Sequence, residues 1–183
     1  MQTREPDEKV VKFLEKLAAL DTGEKARLKR DAGKTIAEGH SLGLFYRLLP
    51  YGVPSGQEET YFLAATLSPL LKNGGGGNFG AVLRQVRDPD AKKNRGLDRR
   101  VEVLLDADAG QLPFRLRQAV RFVRSRKPEA ALNWQRFLTD LLRWNSPTRY
   151  VQEAWAREYF RLPEKPAEES QEPAARSEFD GDA

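Results

Sequence analysis

The sequence of 183 residues contains no cysteine, one histidine and one methionine. Without cysteine, the chain can form no disulfide, no thiol nucleophile and no cysteine-ligated metal site. A serine–histidine–aspartate triad would depend on His40 alone, and no nucleophile-elbow motif accompanies it. We interpret His40 as a solvated or helix-terminal residue. These absences predict a protein that is not an enzyme and that uses no cofactor or metal ion.

Long apolar stretches are also absent, and no segment resembles a signal peptide. A helix that crosses a bilayer needs about 20 predominantly apolar residues. Together with the lack of cysteine, this predicts a soluble, cytoplasmic protein without a membrane partner.

The formal net charge of +4 conceals a strong asymmetry along the chain. From Pro163 onward there are seven acidic residues and two basic ones, so this segment carries −5 and residues 1–162 carry +9. A basic body with an acidic tail is typical of proteins that bind nucleic acid, although charge that only aids solubility is the alternative. The tail is rich in Pro, Glu, Ala and Ser, which cannot build a core, so we expect residues 163–183 to be disordered.

Apolar residues recur at helical spacing, and no segment shows sustained alternation of apolar and polar residues. The pattern predicts an all-α fold, a compact bundle of about eight helices in residues 1–162. The bundle can be divided into two small lobes, 8–88 and 95–162. The predicted helices include the second one, from Asp21 to Gly39, one at 129–144 and one at 146–160.

Four successive glycines, Gly74–Gly77, predict a flexible connection. A phosphate-cradling loop would continue with Lys and then Ser or Thr at the start of the next helix. Here Asn78, Phe79 and Gly80 follow instead, which argues against a nucleotide site. Asn78 is a good N-cap, so a helix is expected to begin there.

Cations concentrate in three segments: Lys25–Lys34, Arg84–Arg100 and Arg115–Lys127, the last without any acidic residue. Guanidinium groups can grip a phosphate with two hydrogen bonds. Helical spacing places Arg117, Arg121 and Arg124 in one stripe, and we expect a second stripe of Arg27, Arg30 and Lys34. The candidate nucleic-acid-binding residues are Arg27, Lys29, Arg30, Lys34, Arg84, Arg87, Arg95, Arg99, Arg100, Arg117, Arg121 and Arg124.

Two other patterns have a structural and a functional interpretation. Asp98, Glu102 and Asp106 align on one helix face and could hold Mg²⁺. Arginines surround them, so salt bridging is favoured over a metal-dependent nuclease site. The aromatic residues of 134–160 could stack on bases, but their helical spacing beside leucines favours a core.

Several short motifs, taken in order, resemble the CasB family, the small subunit of the type I-E CRISPR Cascade complex. They are ARLKR at Ala26–Arg30, SLG at Ser41–Gly43, R-x-E-x-LL at Arg100–Leu105, LRQ at Leu116–Gln118, NW-x-x-FL-x-DL-x-x-W at Asn133–Trp144 and VQ-x-x-WAR-x-Y-F at Val151–Phe160. The resemblance covers most of residues 8–162. The glycine run and the acidic tail lie outside the family pattern.

The resemblance implies an all-helical, non-catalytic subunit that is present as a pair in Cascade. It implies a basic surface that stabilises the R-loop by holding the displaced non-target DNA strand, and partners that include crRNA and the CasA, CasC, CasD and CasE subunits. Arg27, Lys29 and Arg30 fall in one family motif, and Arg100 and Arg117 fall in later ones. A stand-alone nucleic-acid-binding protein and an adaptor for acidic protein surfaces remain alternatives, and the choice between DNA and RNA stays open.

Overall fold

The computed structural model describes residues 7–161, so the predicted disorder of the acidic tail lies outside the described residues. Within 7–161 the chain forms nine α-helices and one pair of two-residue strands, which confirms the all-α fold. The helices are α1 Glu8–Ala18, α2 Thr22–Arg30, α3 Leu42–Leu48, α4 Ser55–Leu67, α5 Phe79–Arg84, α6 Arg95–Leu105, α7 Leu112–Arg126, α8 Trp134–Leu142 and α9 Tyr150–Phe160. Three short 3-10 helices lie at Ile36–Glu38, Ser68–Leu70 and Ala91–Asn94. No helix in this part of the chain is long and apolar enough to span a bilayer.

Helix α4 is the central element, because the seven consecutive residues Tyr61–Leu67 are all buried. Tyr61 and Phe62 contribute to a cluster with α1, α2 and α3, while Leu63 and Leu67 contribute to a larger cluster with α5 to α9. The two clusters therefore meet at α4. The division into two lobes stays a prediction.

The aromatic residues of the last two helices form core, as their spacing predicts. Trp134, Trp144 and Trp155 are at most 3% exposed, and the ring of Trp155 stacks on Phe137 with centroids 5.8 Å apart. Tyr150 and Phe160 are the exceptions, with exposures of 42% and 39%. The tryptophans are therefore not available to stack on bases, and the hypothesis of a base-stacking platform built on them is wrong.

Helices α5 and α9 pack with their backbones in close approach. A Cβ atom added at Gly80 would lie 2.1 Å from the carbonyl oxygen of Trp155, so only glycine fits. Asn78 caps α5, as predicted, by accepting the Ala81 N–H at 3.1 Å, and its amide donates to the Ala154 carbonyl. This residue therefore both starts α5 and holds it against α9.

The strand pair joins two segments that are distant in sequence. In β1 and β2, Lys72 and Asn73 pair in parallel with Ala131 and Leu132, and the Gly74 N–H continues the ladder to Leu132. The predicted helix at 129–144 consequently begins only at Trp134, where Asn133 caps it. Two-residue strands carry no alternation of polarity, so the sequence offered no signal for them.

The second predicted helix is also shorter than expected, because α2 ends at Arg30 rather than near Gly39. Gly33 adopts a left-handed φ of +78°, and the Asp31 carboxylate accepts a hydrogen bond from the backbone N–H of Ser41, which folds the chain back after α2. Lys34 is therefore not on the helix, and the expected stripe of Arg27, Arg30 and Lys34 at helical spacing was wrong for Lys34.

The last helix begins at Tyr150, whereas the sequence predicts Ser146 as its N-cap and Pro147 as its first residue, three positions earlier. Arg149 has a left-handed φ of 51°, and its guanidinium donates to the Leu105 carbonyl and to Asp106. Pro147 accordingly lies in the preceding turn and not in the first helical turn. The distant contact of Arg149 overrides the local signal of proline.

Candidate nucleic-acid interface

Five of the six cations at Arg115–Lys127 lie on α7, the longest helix in residues 7–161, and Lys127 is its C-terminal cap. Leu116, Val120 and Val123 are buried and turn one face of α7 into the core. With about 100° between successive residues, the arginines divide between the two flanks of that face. One flank carries Arg117, Arg121 and Arg124, and the other carries Arg115 and Arg126 beside Phe122.

No carboxylate of residues 7–161 lies within 4 Å of any cation of α7. The Nε atoms of Arg115 and Arg117 are buried and have no hydrogen-bond partner in that part of the chain. Arg121 and Arg124 are exposed. The positive charge of α7 is therefore available to an external anion.

The first flank of α7 lies beside α2. A Cβ atom on Gly33 would be 2.6 Å from Cδ of Arg117, and Lys25 lines a groove of about 500 Å³ together with Lys72 and Arg124. Gly33 follows the end of α2 and Lys25 lies near its start, so α2 and α7 run in opposite directions along this surface. Lys29 shares a helix face with Lys25. We name this the α2–α7 surface, formed by Lys25, Lys29, Lys72, Arg117, Arg121 and Arg124.

Arg27, Arg30 and Lys34 form a separate group at the end of α2, around a shallow pocket of about 370 Å³. Arg27 and Arg30 are exposed, whereas Lys34 is half-buried and donates to Asp31 at 3.0 Å. Lys34 is thus partly neutralised by its own loop, and Arg27 and Arg30 remain free of ion pairs within the described range.

Asp31 organises that loop although its side chain is only 1% exposed. Its Oδ2 accepts the Ser41 hydroxyl at 2.6 Å and the backbone N–H groups of His40 and Ser41 at 2.8 Å. Burial by itself would raise the pKa of Asp31, but the hydrogen bonds from Ser41, Lys34 and His40 outweigh it and hold the pKa well below its usual range. Asp31 is therefore an ionised anchor between α2 and α3. His40 itself is exposed at the helix start, as predicted.

Among residues 7–161, some cations of the segment Arg84–Arg100 form ion pairs and others form none. Arg87 bonds Asp98 at 2.8 Å and lies 4.8 Å from the ring centroid of Tyr159, whose hydroxyl donates to the same carboxylate at 2.7 Å. Burial, and then the bond to Asp98, raises the pKa of Tyr159. Arg87 therefore joins α6 to α9, and Arg99 pairs with Glu102 at 3.6 Å. Among the remaining candidates Arg84 is half-buried, while Arg95 and Arg100 are exposed.

Arg100 opens onto a cleft on the second flank of α7, with a volume of about 640 Å³. The ring of Phe122 lies there between the guanidinium carbons of Arg100, at 5.1 Å, and Arg126, at 5.5 Å. We name this the α6–α7 cleft, formed by Arg87, Lys93, Arg100, Phe122 and Arg126. It is separated from the α2–α7 surface by the width of α7.

The aligned carboxylates of α6 are engaged by different arginines. Asp98 bonds Arg87, Glu102 bonds Arg99, and Asp106 bonds Arg149 at 3.0 Å. No group of three or more His, Cys, Asp or Glu side chains in residues 7–161 is arranged to hold a metal ion. The arrangement corresponds to the salt-bridging interpretation.

Four basic residues of these surfaces were absent from the twelve candidates: Lys25, Lys72, Lys93 and Arg126. Three of them belong to the basic segments, so local charge density was a usable signal. Lys72 reaches the α2–α7 surface through the strand pair, and no local pattern indicates that position.

Comparison with known proteins places this basic helical fold in a family. The model of the family described as CRISPR-associated protein Cse2 matches residues 24–160. The chain therefore belongs to the Cse2 family of CRISPR-associated proteins, also named CasB, which confirms the resemblance drawn from the motifs.

Individual relatives agree with this assignment. The CRISPR-associated protein Cse2 of Thermus thermophilus is 33% identical over 163 residues, which are 85% of this chain and 90% of the relative. The crystal structure of CasB from Thermus thermophilus has a TM-score of 0.69 at 30% identity and covers 84% of this chain and 96% of its own. A chain of a CRISPR RNA-guided surveillance complex shares the fold, with a TM-score of 0.63 at 21% identity over 82% of this chain and 88% of its own.

Proposed function

We propose that this chain is the non-catalytic small subunit of a type I-E CRISPR Cascade complex and that it holds a nucleic-acid strand on the α2–α7 surface. Membership of the Cse2 family supports the first part, together with the fold that this chain shares with a chain of a surveillance complex. The second part is carried by one observation. The cations of α7 have no carboxylate partner among residues 7–161 and lie beside the lysines of α2.

The proposed ligand is the DNA strand that guide pairing displaces. The RNA–DNA duplex is about as stable as the DNA duplex that it replaces, so protein contacts to the displaced strand can tip the balance. Contacts to phosphate need no particular base sequence. A row of free cations is suited to this task, because it binds the backbone and opposes re-annealing.

The test is binding of fluorescently labelled single-stranded DNA and RNA by the full chain, measured by anisotropy across a salt series. Arg121 and Arg124 are exposed, so replacing both with Ala removes charge without opening the core; Arg117 is left in place because it packs on Gly33. Two phosphate contacts at about 1 kcal/mol each predict about 30-fold weaker binding. The slope of log K against log salt should fall by about 1.4.

A matched control removes the same charge elsewhere. Lys12 and Lys16 are exposed on α1, where Glu8 and Glu15 share their surface. The double variant Lys12→Ala, Lys16→Ala should bind almost as the wild type does. An equal loss of DNA affinity in both double variants would show that only net charge matters. That result would overturn the α2–α7 surface as the binding site.

Membership in the complex is tested separately by co-expression with CasA, CasC, CasD, CasE and crRNA. A tagged copy of this chain should purify with these subunits and with a second, untagged copy of itself. Purification of the chain alone, with DNA binding intact, would favour a stand-alone nucleic-acid-binding protein.

A further inference from the structure

The α6–α7 cleft carries positive charge that the described fold does not neutralise. Lys93, Arg100 and Arg126 are exposed, and no carboxylate of residues 7–161 lies within 4 Å of their charged groups. Among the described residues, Asp88 is the only acidic one that lines the cleft. The half-buried ring of Phe122 between two guanidinium groups adds an apolar surface. A complementary ligand would combine several carboxylates or phosphates with a flat group.

The chain leaves the described fold beside this cleft. Tyr159, in the last turn of α9, packs against Arg87, which lines the cleft, and bonds Asp98. Helix α9 ends one residue later, at Phe160. The sequence that follows therefore starts within a few residues of a side chain that packs on Arg87, one of the residues that form the α6–α7 cleft.

That sequence has the matching chemistry. Residues 163–183 carry a net charge of −5, and residues 178–182 read Glu-Phe-Asp-Gly-Asp, in which one aromatic ring is flanked by carboxylates. Eighteen residues run from Arg161 to Glu178, and a flexible linker of that length has a root-mean-square end-to-end distance of about 23 Å. Tethering at such a distance gives an effective concentration of about 1 mM. At this effective concentration, a weak attraction between the acidic segment and the α6–α7 cleft is sufficient to keep the cleft occupied.

We infer that residues 178–182 occupy the α6–α7 cleft and compete there with nucleic acid. The inferred contacts are those of Phe179 with Phe122 and its flanking arginines, and those of Glu178, Asp180 and Asp182 with Lys93, Arg100 and Arg126. The competition rests on the proposed function, whereas the docking does not. The proposed binding site for nucleic acid, the α2–α7 surface, lies on the other flank of α7. A bound strand therefore displaces the acidic segment only if the strand is long enough to reach the α6–α7 cleft as well.

The docking is tested without nucleic acid by carbodiimide cross-linking of the full chain, which joins a carboxylate directly to a lysine in contact with it. Peptide mass spectrometry should find residues 178–182 linked to Lys93 at least about fivefold more than to Lys12 on α1. Replacing Phe122 and Arg126 with Ala should abolish that preference. Links spread evenly over the lysines would overturn the inference.

The competition is tested with two variants that remove the same charge from the acidic segment. The variant Glu178→Gln, Asp180→Asn, Asp182→Asn should bind single-stranded DNA about tenfold more tightly at low salt, for an intrinsic dissociation constant of the docked segment of about 0.1 mM. The control variant Glu164→Gln, Glu168→Gln, Glu169→Gln should change affinity by less than about twofold. Equal gains in both would indicate general repulsion and overturn specific docking.

The two proposals fail in different ways. Preferential links to Lys93 with no DNA binding by any variant would refute the proposed function and leave the docking in place. Strong DNA binding together with cross-links spread evenly over the lysines would refute the docking and leave the proposed function in place.

Discussion

The buried carboxylate of Asp31 offers the sharpest test of how the basic end of α2 is held in place. The substitution Asp31→Asn keeps the size of the side chain but removes its charge. The three donors from His40 and Ser41 share Oδ2 in the wild type, and the amide oxygen of Asn can take its place, but these hydrogen bonds then go to a neutral acceptor and Lys34 loses its partner Oδ1. A hydrogen bond to a charged group contributes about 1.5–3 kcal/mol and one between neutral groups about 0.5–1.5 kcal/mol, so each of the three bonds loses about 1 kcal/mol. We expect a loss of about 2–4 kcal/mol in the free energy of unfolding near pH 7.

The pH dependence follows from the lowered pKa of Asp31. A carboxyl group whose pKa is lower in the folded state stabilises the fold fully above its ordinary value of about 3.9. That contribution is lost as the pH falls towards the folded-state pKa. The difference between wild type and Asp31→Asn should therefore narrow by about 1.4 kcal/mol for each pH unit below about 4.

The assay is urea denaturation followed by far-ultraviolet circular dichroism, at neutral pH and through the acidic range. Glu129→Gln serves as the control, because Glu129 is exposed and forms no ion pair within residues 7–161. The control should match the wild type at every pH. A loss below about 0.5 kcal/mol for Asp31→Asn, or a difference that does not change with pH, would refute the role given to Asp31.

Two further predictions concern the packing of α9. Gly80→Ala should destabilise the fold by about 1–3 kcal/mol or more, because its Cβ would meet the Trp155 carbonyl; Gly96→Ala on α6, where nothing lies within 4 Å, should be neutral or slightly stabilising in the same thermal melts. Trp155→Phe should cost about 1–3 kcal/mol in urea denaturation, because the indole N–H donates to the Asp140 carboxylate at 2.7 Å and burial raises the pKa of Asp140. The double variant with Asp140→Leu should recover part of that loss, and a loss that is unchanged in that background would contradict the hydrogen bond as its cause.

The all-α fold, the buried tryptophans and the cap at Asn78 could be predicted because each depends on neighbours a few residues away. Apolar side chains at helical spacing indicate a buried face, and an asparagine that caps a helix bonds a backbone N–H in the first turn that follows it. The predictions of helix bounds were wrong where contacts between residues distant in sequence determine the local structure. Asp31 ends α2 through groups on α3, and β2 delays the start of α8 by pairing with residues about sixty positions earlier.

The candidate interface divides in the same way. The sequence alone determined that residues 115–127 carry six cations and no acidic residue, and it contains the motifs that resemble the Cse2 family. It could not determine that Arg87 is bound to Asp98 while Arg121 forms no ion pair within residues 7–161, since packing across elements determines which charges meet. Only the tertiary structure divided one basic helix into two flanks, one beside α2 and one beside α6. Linear spacing orders residues around a single helix, but the neighbours that each flank meets depend on how the helices pack.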